Sequence, residues 1–134
     1  MPNKAYAEEW LSLAKRNLNT AKLLFKENHY TDIIAIEIQQ TIEKSFKAIY
    51  AFYGAEIPRT HVLQALFNFV MSKIQLSVEI DDIIIISDYY ETDRYPGPKY
   101  FIPETDEIAK NLLLAENLFN DISEHITDLK ELPS

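Results

Sequence analysis

The sequence predicts an all-α fold, an up-and-down antiparallel bundle of about five helices, on three observations. Apolar residues recur at spacings of three and four over long stretches, only two glycines interrupt 134 residues, and four of six prolines (58, 96, 98 and 103) gather between residues 58 and 103. The recurrence is that of helix faces, and the prolines confine the breaks to the middle of the chain.

In the first element, Ala7, Trp10, Leu11, Ala14, Leu18, Ala21, Leu24 and Phe25 form one stripe over residues 5–26, with Lys15, Arg16, Lys22 and Lys26 off it. A break at residues 27–30 precedes Thr31 and Asp32, either of which can cap a second helix running from about Asp32 to Tyr53. Gly54 stands where a left-handed C-terminal cap is wanted, and Pro58 prevents resumption. The first two helices are expected to pair antiparallel. Thr60 is placed to cap a short apolar third helix ending near Lys73. Residues 79–90 carry four successive isoleucines, which favour strand, yet no second strand is visible to pair with them, so a helix is expected. After a loop from Pro96 to Pro103, the residues Ile108, Ala109, Leu112, Leu113, Ala115, Leu118, Phe119, Ile122 and Ile126 recur at helical spacing. Residues 1–134 are expected to form a single domain, in keeping with 47% hydrophobic and 25% charged residues.

Composition excludes several chemistries. Without cysteine there are no disulfides, thiolate nucleophiles or cysteine-based metal sites, which makes the cytoplasm the natural compartment. Isolated glycines at 54 and 97 exclude a phosphate-cradling loop or a dinucleotide fingerprint. His29, His61 and His125 lack the spacing of a helical metal pair, so neither metal nor cofactor is expected. No apolar run is long enough to cross a membrane. The net charge of −8 is uneven: nine Lys and Arg face seven Asp and Glu through residue 78, and four face fourteen beyond it. Such a surface does not suit DNA, and it restricts any RNA contact to the front half or the Arg94 region. The acidic half is either a solvated surface or a face for a basic protein.

Three groups of residues can carry chemistry. Glu37, Gln40, Lys44 and Lys47 form a polar stripe on an otherwise apolar second helix, with Gln39 and Glu43 beside it; it is either a thin solvent-exposed edge or a groove facing another helix or a ligand. Arg59 and His61 are read at a helix start, where free N–H groups, a guanidinium and an imidazole suit phosphate. Arg94 opens a stretch rich in Tyr89, Tyr90, Tyr95, Tyr100 and Phe101, whose rings can stack on bases. The alternative for these last two groups is local, with His61 helping to cap a helix and Arg94 pairing with Asp88, Glu91 or Asp93.

Several short pieces in order, Ala7-Glu8-Glu9-Trp10-Leu11 with Ala14-Lys15, Gln39-Gln40-x-x-Glu43-Lys44-x-x-Lys47-Ala48, Pro58-Arg59-Thr60-His61-x-Leu63 and Arg94-Tyr95-Pro96-Gly97, resemble the HEPN (higher eukaryotes and prokaryotes nucleotide-binding) domain. The resemblance covers nearly the whole chain. It implies a helical homodimer, a minimal nucleotidyltransferase as companion in a two-component, toxin-antitoxin-like pair, and a nucleotide or RNA as ligand. The resemblance departs at catalysis. HEPN ribonucleases carry an arginine followed after four to six residues by a histidine, whereas His61 follows Arg59 after one residue and Tyr100 stands where Arg94 would require histidine. The expected ligand-binding residues are Arg59, His61 and Arg94 for phosphate, Tyr95 and Tyr100 for stacking or dimer packing, and Glu43, Lys44 and Lys47 in the helix-two groove. The rival readings are a metal-independent ribonuclease that joins Arg94 to His61 in space, and a protein-interaction module without chemistry.

Overall fold

The computed structural model describes residues 3–94 and 101–128, which form five helices: α1 (Lys4–Lys26), α2 (Thr31–Phe52), α3 (Leu63–Lys73), α4 (Ile80–Arg94) and α5 (Thr105–Asp128). No strand occurs among the described residues. Long-range pairs set the directions. Asn3 meets Phe52 and Asn17 meets Lys44, so α1 and α2 are antiparallel. Thr31 meets Pro103 and Tyr53 meets His125, so α5 runs with α2, while the Lys22–Glu116 ion pair sets it against α1.

Every other helix packs on α2. Each residue from Ser45 to Phe52 is buried, so this part of α2 has no solvent face at all. Phe46, Ile42, Ile38 and Ile49 meet Leu63, Leu66, Ile83, Ile86, Ile108 and Ile122 in one continuous core. The isoleucine run is helical and divides by direction: Ile83 and Ile86 are buried, whereas Ile84 and Ile85 point outward. In α5 the recurrence is narrower than its sequence indicates. Ala109 and Leu113 lie a helical step off the buried stripe and are exposed.

The helix ends hold both agreement and correction. Gly54 adopts φ 69°, and Ala55 N–H donates to the Tyr50 carbonyl at 2.9 Å, which closes α2 as a left-handed cap. At the other end of α2 the N-cap position is held by Tyr30, without a side-chain cap, and not by Thr31 or Asp32. Thr31 instead donates its hydroxyl to the Pro103 carbonyl at 2.7 Å, tying the start of α2 to the entry of α5. Thr60 does not cap α3 either. Its hydroxyl accepts from Val62 N–H, and α3 begins three residues later, where buried Ser87 of α4 accepts the Leu63 N–H at 2.9 Å. Asn3, passed over in the sequence, caps α1 by accepting from Tyr6 N–H.

Replacing Gly54 with alanine puts a Cβ into the left-handed region and is expected to cost about 1 kcal/mol, measured by denaturant unfolding. Phe46→Ala empties the centre of the core and is expected to cost about 3–5 kcal/mol in the same measurement.

Candidate functional site

A buried carboxylate must find its partners inside the protein. Glu43, 4% exposed, is in that position. One of its oxygens accepts from Gln39 at 3.1 Å, Gln40 at 3.3 Å and His61 Nδ1 at 3.0 Å. The other accepts from Lys47 Nζ at 3.0 Å, one helical turn on. Burial alone would push the Glu43 carboxyl up, but the hydrogen bonds from Lys47, His61 and Gln39 outweigh it and hold the group below its ordinary value.

The network reaches the surface through His61. The segment between α2 and α3 is extended rather than the helix start read from sequence, and Gln39 secures it by donating to the His61 carbonyl at 2.9 Å. Gln40 in turn donates to the Gln39 oxygen at 2.6 Å, which orients that amide. Because an ionised carboxylate only accepts, the proton between Glu43 and His61 belongs to Nδ1, and the lone pair of neutral His61 lies on Nε2. The imidazole stacks on Tyr90 of α4, centroids 4.1 Å apart and planes 17° from parallel. Its side chain remains 51% exposed. The result is an imidazole fixed on one edge by a buried carboxylate and on one face by a ring, with its other nitrogen free to meet a ligand.

The sequence-predicted residues divide accordingly. Glu43, Lys47 and His61 come together, and Arg59 stands exposed two residues before His61 with no ion pair among the described residues. Lys44 does not join them. It turns toward α1 and donates to Asn17 at 2.8 Å, while Asn17 donates to Glu37 at 2.8 Å. Of the polar stripe on α2, Glu37 and Lys44 therefore meet α1, while Gln40 and Lys47 serve Glu43. Arg94 is the last residue of α4, not the opening of a loop, and lies one turn beyond Tyr90; its side chain, with Tyr95 and Tyr100, falls outside the described residues.

Tyr90, Trp10 and Asn17 were not singled out for this cluster by sequence. A signal existed only for Tyr90, which precedes Arg94 by one helical turn. Among the described residues no three His, Asp or Glu side chains converge as metal ligands. A concavity of about 610 Å³ lined by Ser77, Lys110, Leu114 and Asp121 includes none of Glu43, Lys47, His61 and Tyr90.

A family profile described as HEPN domain matches residues 7–126. The chain belongs to the HEPN family. The protein named "Putative toxin MJ1304" of Methanocaldococcus jannaschii is 32% identical to it, over 74% of this chain and 68% of that protein. Two crystal structures share the fold at 21% identity: ST0689, an archaeal HEPN homologue (TM-score 0.67, covering 90% of this chain and 97% of that one), and TT1696 from Thermus thermophilus (TM-score 0.68, 89% and 97%). The helical bundle expected from sequence is thus the HEPN architecture. Among the described residues no helix is long and apolar enough to cross a membrane.

Since the Glu43 carboxyl is held below its ordinary value of 4.5, its share of stability is complete above that value and is lost as pH falls through the lowered one. Glu43→Gln is expected to flatten part of this acid limb in unfolding measured against pH. At neutral pH it leaves buried Lys47 uncompensated, at an expected cost of about 3 kcal/mol.

Proposed function

We propose that this HEPN protein binds RNA or a nucleotide at the corner formed by Glu43, His61 and Tyr90. It does so as the toxin-like half of a two-component pair, a cytoplasmic homodimer whose companion is a minimal nucleotidyltransferase. The observation that carries the ligand assignment is His61, whose imidazole is oriented by a buried carboxylate, stacked on Tyr90 and open at Nε2. The Arg59 guanidinium two residues away suits a phosphate, the Nε2 lone pair suits a ribose hydroxyl that donates to it, and Tyr90, with the tyrosines after Arg94, suits bases. The family and a relative named as a toxin support the two-component role.

The same arrangement favours a second reading, metal-independent cleavage of RNA. An imidazole whose Nδ1–H is held by a carboxylate is oriented to take a proton from a 2′-hydroxyl at Nε2, and an arginine nearby would stabilise the phosphorane charge. Arg59, two residues before His61 in the chain, is the arginine this reading would use.

Calorimetric titration with a short single-stranded oligoribonucleotide tests the binding site. Tyr90→Ala is expected to weaken binding about 10-fold, the worth of one stacked base, and His61→Ala and Arg59→Ala at least as much; unchanged affinity in all three removes the assignment. Incubation with total RNA in EDTA separates the two readings. Cleavage that disappears in His61→Ala establishes the ribonuclease, and RNA left intact leaves the binding protein.

A further inference from the structure

The partners of Glu43 are chemically unequal. Gln39 and Gln40 are neutral, and His61 carries charge only when protonated, so among the described residues Lys47 is the one permanent cation at hydrogen-bond distance from this carboxylate. Lys47 is itself buried, with its ammonium 5.8 Å from the centroid of the Trp10 ring. The Trp10 indole N–H is buried without an acceptor, so this side of α1 offers Lys47 an aromatic face and no competing carboxylate. The remaining charges around the site are placed differently. Lys44 is engaged with Asn17, and Arg59 on the segment before α3 and Asp88 and Glu91 on α4 lie at exposed positions, where charges act weakly through water.

We propose that Lys47 is the positioning residue of the His61 site: its charge neutralises Glu43 from inside the bundle, so that His61 need not supply a counter-charge and presents a bare Nε2 to the ligand. The proposal rests on the reading that His61 Nε2 is the contacting atom. Its logic is proton bookkeeping. With Lys47 present, the Glu43–His61 pair holds one proton, on Nδ1. Without that charge, the pair, whose carboxylate is buried, takes up a second proton more readily. The product is either carboxylate with imidazolium or carboxylic acid with the opposite imidazole tautomer. In both, Nε2 carries the proton and is no longer an acceptor.

The test follows the ring nitrogens of His61 by 15N NMR across roughly pH 5 to 9 in the full chain without ligand. Lys47→Met keeps the stem against Trp10 and removes the charge. The midpoint for protonation at Nε2 is expected to rise by about one unit or more over wild type, the effect of losing a neighbouring charge, and Lys47→Arg is expected to restore the wild-type titration. Fluorescence of Trp10, the single tryptophan, and thermal unfolding report whether each variant is folded. Where the methionine variant does not fold, Lys47→Gln, which keeps a hydrogen bond to Glu43 but not the charge, is expected to give the same rise. An unchanged midpoint in the folded charge-free variant overturns the proposal and assigns Lys47 to packing alone. That result leaves the ligand assignment intact, whereas oligoribonucleotide affinity unaffected by His61→Ala removes the ligand assignment and leaves the titration to stand on its own.

Discussion

A single carboxylate inside the central helix constrains much of this molecule. Water would solvate Glu43 at no cost to the fold, but α2 is enclosed by α1, α3, α4 and α5, and burial there opposes an isolated charge. Each donor that answers the carboxylate also fixes a piece of the structure. Lys47 joins it along the helix, Gln39 reaches out to hold the chain at His61, and His61 closes against Tyr90 of α4. The segment between α2 and α3 thereby gains an anchor that its own sequence, with Pro58 and no helical hydrogen bonds, does not provide.

The contrast with the other end of α2 is informative. There Tyr53 and His125 share a hydrogen bond of 2.7 Å, joining α2 to the last turns of α5. Among the described residues no carboxylate pairs with this histidine, and burial alone lowers its affinity for protons. Tyr53 is raised for the same reason. A neutral pair of this kind ties two helices together. His61 differs because a charged network lies behind it and about half of its side chain is exposed to solvent. A third buried polar cluster, in which the Tyr89 hydroxyl donates to Glu107 and accepts from Asn111, likewise joins α4 to α5.

Charge is distributed in keeping with this division. The excess of acid is concentrated after residue 78, largely on exposed positions of α4 and α5, whereas the basic residues that accompany the polar network belong to the front half. A net charge of −8 repels polyanions in general. A ligand bearing phosphate therefore meets a favourable field only locally, and the exposed Arg59 lies two residues from His61 in the chain.

The number of helices, their approximate limits and the left-handed cap at Gly54 were determined by the sequence itself, because apolar spacing, glycine and proline act over a few residues. The order of short motifs also identified the family. Tertiary structure alone decided that Glu37 and Lys44 of the polar stripe meet Asn17 of α1, that Lys44 leaves the site while Lys47 stays, and that Tyr90 stacks on His61. The physical reason is that periodicity reports which residues share a face but not what that face meets. Glu43 and His61 are eighteen positions apart, and their hydrogen bond exists only because a turn and an extended segment return the chain to the middle of α2. Burial then made the pairing necessary, since a carboxylate with no access to water must be completed by whichever donors the packing brings to it.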